Sequence, residues 1–291
     1  MKRFIFDTDW WTDCDDCAAL QILCNKHNKG EIELYGVVIN AYTEYSVRSV
    51  DAFLNENGIK NLPIGIDEKA DDFAGTPKYQ QILAAYSDRK DYLDGVECYR
   101  RLLSESEQKV DIIAVGFLNV IDELLKSKGD VYSPLDGYEL VKNKVGKIWI
   151  MGGKWDEDGC CEHNFCNNAR SRVASSEVLD KCPVPLVMSG WENGNDIISG
   201  RNLDKNSLIF KAFDAIGHGK GRSSWDPMVT LLAVSGDVEG EGYKEVFGKG
   251  SVEVETGKNH FVPDENGKDC YVVMTKPSDF YADRIDEIIC K

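Results

Sequence analysis

Long apolar runs are missing from this sequence. No stretch approaches the roughly 20 residues that a bilayer-spanning helix needs, so the chain does not read as a membrane protein. The apolar run after Lys2 and Arg3 ends within a few residues, which argues against a secretory leader. Basic residues are also in deficit: 34 Lys and Arg against 50 Asp and Glu give a net charge of −16. A phosphate backbone would be repelled, which excludes nucleic-acid polymers as expected partners. The ten cysteines lack the companions of a zinc site. Cys14 and Cys17 sit among aspartates, and no His-x-x-x-His follows Cys160, Cys161 and Cys166. Without a leader, so many cysteines read as free thiols in a reducing, cytoplasmic compartment. Repeats, low-complexity linkers and breaks in composition are absent as well, so residues 1–291 are expected to form one domain with a substantial core.

What the sequence does contain is concentrated at its start, MKRFIFDTDWWTDCDDCAAL. Phe4-Ile5-Phe6 is an apolar, β-prone run that stops at Asp7, and a helical pattern begins near Ala18. Between them stand Asp7, Asp9, Asp13, Asp15 and Asp16, with no Lys or Arg. Helix capping uses one or two aspartates. Five held close together repel one another unless protons or a cation neutralise them. Oxygen donors of this kind suit a hard ion, Ca²⁺ or Mg²⁺.

Further strand-then-helix units follow. Strands are predicted over Ile32–Ile39, Leu62–Ile66, Asp111–Gly116, Val145–Met151 and Pro185–Met188, with a rim loop over 67–77. Helical patterns cover Ser46–Leu54, Gln80–Tyr86, Tyr99–Leu103, a stretch ending at Leu125, and Met228–Val234. Asp226-Pro227 before the last of these reads as a helix N-cap. The pattern predicts an α/β fold: one mostly parallel central sheet with helices on both faces. Alternation over Gly250–Met274 adds a C-terminal β-hairpin or meander, followed by a helix around Ala282–Ile289. Ligands of such sheets bind outside the carboxyl ends of the strands.

Asp7-Thr8-Asp9 followed by Asp15-Asp16 resembles the DxDxxxDD signature of the inosine-uridine preferring nucleoside hydrolase family, in the bacterial branch with a lengthened loop. Trp10-Trp11 stand where Pro-Gly is usual. Gly116-Phe117-Leu118-Asn119, Met151-Gly152-Gly153 with Glu162-His163-Asn164, and Trp225-Asp226-Pro227 resemble later segments of that family. The resemblance implies Ca²⁺ held by Asp9, Asp16, Asp226 and the Asn119 carbonyl. It further implies that Asp9 is the general base on a metal-associated water. Asp15, Asn40, Glu162 and Asn164 would grip the ribose, with Asn164 helping to stabilise the oxocarbenium-like state. The implied reaction is hydrolysis of a ribonucleoside to ribose and free base, in a protein forming dimers or tetramers. His163 is expected as a flat wall or a general acid, and Trp225 replaces the usual His, removing one leaving-group acid. Trp10, Trp11, Trp191 and Trp225 are expected either to stack on a base or to pack in the core. Two other readings stand beside this one: a Ca²⁺-dependent nucleoside-binding protein without turnover, and a haloacid-dehalogenase-like phosphatase with Asp7 as nucleophile.

Overall fold

A computed structural model describes Met1 to Cys290, apart from Thr12 and Ala74; the expected rim loop over 67–77 therefore has one position outside the described residues. In β1 (Lys2–Thr8), Phe4 and Phe6 face one core and Ile5 faces another, all fully buried. A strand covered on both sides reads as a continuous apolar run for this reason. Each such side chain contributes about 1.5–3 kcal/mol of burial free energy, so β1 is the natural centre of the sheet.

The chain next lays α1 (Asp15–Asn28), β2 (Ile32–Ile39), α2 (Ser46–Glu56), β3 (Ile64–Ile66), α3 (Tyr79–Ala84) and β4 (Leu93–Asp94), with the strands stepping outward on one side of β1. It returns through α4 (Gly95–Glu105) to the opposite side of β1. There β5 (Val110–Ala114), α5 (Asn119–Lys126), α6 (Gly137–Lys144), β6 (Val145–Met151), α7 (His163–Cys166), α8 (Ala169–Lys181) and β7 (Leu186–Ser189) follow. Every pairing from β4 across to β7 is parallel. The order reverses between β1 and β5, and that switch point opens a crevice at the strands' carboxyl ends.

A short ribbon of β8 (Ile198–Ser199) and β9 (Arg222–Ser223), separated by α9 (Leu208–Ala215), leads into α10 (Trp225–Ser235). Then come β10 (Tyr243–Val252), β11 (Asn259–Pro263), β12 (Asp269–Met274) and α11 (Ser278–Ile289). The expected C-terminal hairpin is present, but it does more than cover an edge. β12 pairs parallel to β7, and β10 and β11 add antiparallel strands beyond it, so the tail extends the sheet to ten strands among the described residues. Residues of α1, α2, α9, α10 and α11 fill the core on one face, and those of α4, α5, α6 and α8 fill the other.

Gly116 lets the loops at the switch point close on each other. A Cβ there would lie 2.3 Å from the Asp9 nitrogen and 2.7 Å from Asn40 Oδ1, so any larger residue would push the β5 loop off the acidic loop.

Candidate active site

Two helices begin earlier than their apolar patterns suggest. α1 starts at Asp15, which makes Asp15 and Asp16 its first turn, and α10 starts at Trp225, which makes Asp226 its second residue. The expected Asp226 N-cap is thus corrected: Ser224 occupies the cap position, and Asp226 lies inside the helix. Carboxylates in a first turn favour the helix macrodipole but interrupt the hydrophobic period that marks a helix in sequence.

These two amino termini converge. Oxygens of Asp15, Asp16 and Asp226 lie within 4.8 Å of one another, and all three residues are buried. The Asp226 backbone N–H donates to Asp15 Oδ2 at 3.1 Å. Asp16 accepts a short hydrogen bond from the Thr8 hydroxyl and another from the Trp10 N–H at 3.2 Å. Burial, followed by repulsion from Asp13 at Asp15, from Asp9 at Asp16 and from Asp15 at Asp226, pushes all three carboxyls well above their ordinary range. Among the described residues no Lys or Arg is ion-paired with any of the three; Arg222 instead pairs with Asp13, at 2.6 Å. Three buried acids with oxygen donors and no cationic partner form a donor set that fits a hard divalent ion.

The trio lines a cavity of about 250 Å³ together with Asp9, Asp13, Val115, Met151, Glu162, His163, Asn164, Trp191, Arg222 and Trp225. Asp9 lies outside the close trio, half-buried, with Oδ1 accepting the Trp11 N–H at 3.3 Å. Burial, and secondarily the charge of Asp15, raise its pKa to about 7.

Glu162 and Asn164 both line the cavity. The Glu162 carboxylate accepts three backbone N–H groups, from Gly153 at 3.0 Å, Asn164 at 2.9 Å and Phe165 at 3.3 Å, and so organises the turn that carries Asn164. Burial nonetheless raises its pKa to about 7. Asn164 Nδ2 donates to the carbonyls of Val115 and Met151 at 3.1 and 3.2 Å, while its Oδ1 has no hydrogen-bond partner among the described residues. His163 sits exposed at the mouth, its ring beside Asn167 and Phe117, with desolvation lowering its pKa. A neutral ring suits the wall better than the acid.

Two expected site residues are not at the cavity. Asn40 is fully buried, its Nδ2 donating to Asp7 at 2.5 Å and its Oδ1 accepting the Phe117 N–H at 3.0 Å. Asn119 opens α5, and its Nδ2 is held by the Asn40 carbonyl at 3.1 Å and Asp67 at 2.8 Å. Val115, just past the end of β5, lines the cavity, and its carbonyl accepts Asn164 Nδ2 at 3.1 Å. Asn40 follows β2 and Asn119 opens α5, and the buried Asp7 and Asp67 hold their side-chain amides inside the fold.

Asp7 itself is fully buried between Tyr99 Oη at 2.5 Å and Asn40, and it does not line the cavity. A nucleophile there would have no access to a phosphoester, which removes the geometric basis of the phosphatase alternative. The tryptophans divide in the same way. Trp10 is fully buried in a left-handed conformation (φ 47°), with its indole N–H on Ser49 at 2.8 Å and edge-on contacts to Phe53 and Tyr79. Trp11 packs with Ala41, Ala70, Phe73 and Phe117. Only Trp191 and Trp225 of the four reach the cavity. Cys14 and Cys17 are buried, free and pushed up by burial, hence inert thiols.

Arg222 lines the cavity and was passed over by sequence reasoning. Its one signal was a lone base four residues before Asp226, in a chain whose first acidic loop has none.

No family model matches the chain, and no curated protein matches it in sequence. Solved structures do. An inosine-uridine preferring nucleoside hydrolase from Bacillus anthracis superposes with a TM-score of 0.66 at 14% identity over 99% of each chain. An inosine-guanosine nucleoside hydrolase gives 0.68 at 15% identity over 99% of each chain. The type III effector protein XopQ, solved with adenosine diphosphate ribose, gives 0.66 at 15% identity over 99% of this chain and 93% of the other. No helix among the described residues is long and apolar enough to cross a membrane. With strand order, switch point and acidic crevice all in place and the match running nearly end to end, the fold of this chain is that of the nucleoside hydrolases.

Proposed function

We propose that the protein hydrolyses the N-glycosidic bond of ribonucleosides, releasing ribose and a free nucleobase. The observation that carries this reading is the convergence of Asp226 with Asp15 and Asp16 in a cavity that also holds Asp9. In the proposed site Asp15, Asp16 and Asp226 hold a divalent cation, Ca²⁺ being an ion that suits an all-oxygen donor set. Such an ion supplies Lewis-acid chemistry, acidifying a water and anchoring neighbouring hydroxyls.

The chain's own groups do the remaining work. Asp9 takes the proton of the attacking water, since it lines the cavity beside the metal-binding acids. Asn164 Oδ1 and the Glu162 carboxylate face the sugar and stabilise positive charge spreading over the anomeric carbon and ring oxygen. The turn built on Glu162 fixes both acceptors before substrate arrives. Trp191 and Trp225 provide aromatic faces for the base. The small cavity suits a nucleoside rather than a polymer.

A panel of ribonucleosides with reducing-sugar detection, with and without a chelator, tests the proposal. Sugar release that the chelator abolishes and a divalent cation restores is the expected result. Nucleoside binding with no sugar released over hours would instead establish a binding protein without turnover.

A further inference from the structure

Among the described residues lining the cavity, six carry carboxylates (Asp9, Asp13, Asp15, Asp16, Glu162 and Asp226), and one, Arg222, carries a fixed positive charge. An unrestrained guanidinium in this setting would fall onto the Asp15, Asp16 and Asp226 carboxylates and occupy the place of a cation. Asp13 prevents this. Its oxygens accept Arg222 Nε at 3.0 and 3.1 Å and Nη2 at 2.6 Å, a side-on pair that fixes the plane of the guanidinium. The same guanidinium lies over the Trp225 ring at 4.8 Å. The ring is fixed in turn by its Nε1–H, which donates to the Trp191 carbonyl at 2.9 Å. The remaining guanidinium nitrogen, Nη1, makes no hydrogen bond among the described residues, so two strong donors are unspent beside the aromatic end of the cavity.

That end otherwise offers little to a departing base. The Trp225 N–H is committed, and the His163 ring is engaged by Asn167 at 3.2 Å. We propose that Arg222 is the leaving-group residue of this site, donating through Nη1 to a carbonyl oxygen of the departing base and stabilising it as an anion. This rests on the N-glycoside hydrolase reading. In the step, water forms a bond to the anomeric carbon and passes its proton to Asp9. The C–N bond breaks with its electron pair going to the base, and the base anion is later protonated by solvent. An anchor of this type favours bases that carry a carbonyl beside an acidic ring N–H, such as uracil, hypoxanthine, guanine and xanthine, over cytosine and adenine. Asp13 acts as a positioning residue through Arg222.

The test compares Arg222→Gln and Arg222→Lys with the wild-type protein on uridine and on p-nitrophenyl β-D-ribofuranoside, whose nitrophenolate leaves without help. Arg222→Gln is expected to lose about 10²–10³-fold in kcat/KM on uridine, the scale for removing one donor to developing negative charge, and under about fivefold on the nitrophenyl riboside. Arg222→Lys falls between, and Arg222→Ala regains uridine turnover when guanidinium ion is added. Equal losses on both substrates would overturn the proposal, because they are the mark of a residue that only shapes the loop. Undiminished uridine turnover in Arg222→Gln would overturn it too. A wild-type protein that cleaves neither substrate would remove the hydrolase reading itself, and this inference with it.

Discussion

The backbone N–H of Asp226 donates to the carboxylate of Asp15, 3.1 Å away and 211 residues apart in sequence. One contact thus ties the amino terminus of α10 to that of α1 and brings two buried acids together where like charge should drive them apart. Repulsion of that kind persists in a fold only when something else neutralises it under working conditions.

Metal removal should therefore destabilise the protein, and more so as pH rises. Folded-state pKa values of Asp15, Asp16 and Asp226 stand well above the unfolded value. The folded, metal-free chain thus holds protons that the unfolded chain has released. Its stability is highest in mild acid and falls as pH climbs from the unfolded pKa through the folded ones. Thermal melts with and without chelator should differ little at pH 5 and clearly at pH 8. At a hundredfold excess over Kd the bound ion adds about 2.7 kcal/mol. An equal chelator effect at both pH values would contradict this account.

Removing a charge from the trio should have opposite effects on stability and turnover. Asp16→Asn relieves repulsion, so the metal-free variant should melt at or above the wild-type temperature, while chelator-sensitive sugar release disappears. Melting below wild type without metal would show that the Asp16 carboxylate is held by its Thr8 and Trp10 bonds alone.

Asp9→Ala should lower sugar release by about 10²–10⁴-fold, the scale of a lost general base, while cation-dependent thermal stabilisation persists, because Asp15, Asp16 and Asp226 remain to hold the ion. Melts and rate assays on the same preparation separate the two effects. Intact turnover in Asp9→Ala would require a different base.

Glu162 predicts a second pH effect, away from the metal trio. Its carboxyl titrates at about 7 in the fold against an ordinary 4.5, so it costs stability as pH rises across that interval, by at most about 3 kcal/mol. Glu162→Gln should flatten the stability slope between pH 4 and 8 by up to that amount, whatever its effect at fixed pH. Denaturant midpoints across the range measure it, and an unchanged slope would contradict the assignment.

The tryptophans make a paired prediction. Trp10→Ala removes a fully buried ring and its Ser49 bond and should cost about 3–5 kcal/mol. Trp191, 38% exposed at the cavity, should cost under about 0.5 kcal/mol when cut to Ala and should raise KM.

That pair also shows where the sequence stopped being informative. β2 and β6 were legible to the residue, because β-branched and aromatic runs bounded by turns have one plausible structure. The onsets of α1 and α10 were not, since acids at their first turns break the apolar period that announces a helix. Sequence placed Asn40 at a strand end and Asn119 in the turn from a strand into a helix. Their side chains answer instead to Asp7 and Asp67, partners that only the assembled sheet brings near. The pairing of β12 with β7 and of Arg222 with Asp13 depends on contacts between distant parts of the chain, which local pattern does not encode. The acidic loop could be read because clustered charge demands a neutralising partner wherever it occurs, whereas Asp226, a lone acid in sequence, was marked only by the resemblance of Trp225-Asp226-Pro227 to a family segment.

Calorimetric titration of Ca²⁺ into metal-stripped wild type and Asp226→Asn tests the centre of this account most directly. One site per chain in the wild type, lost or weakened at least tenfold in the variant, is the predicted result. Equal binding by the two proteins would mean that the amino-terminal loop and Asp226 do not share an ion.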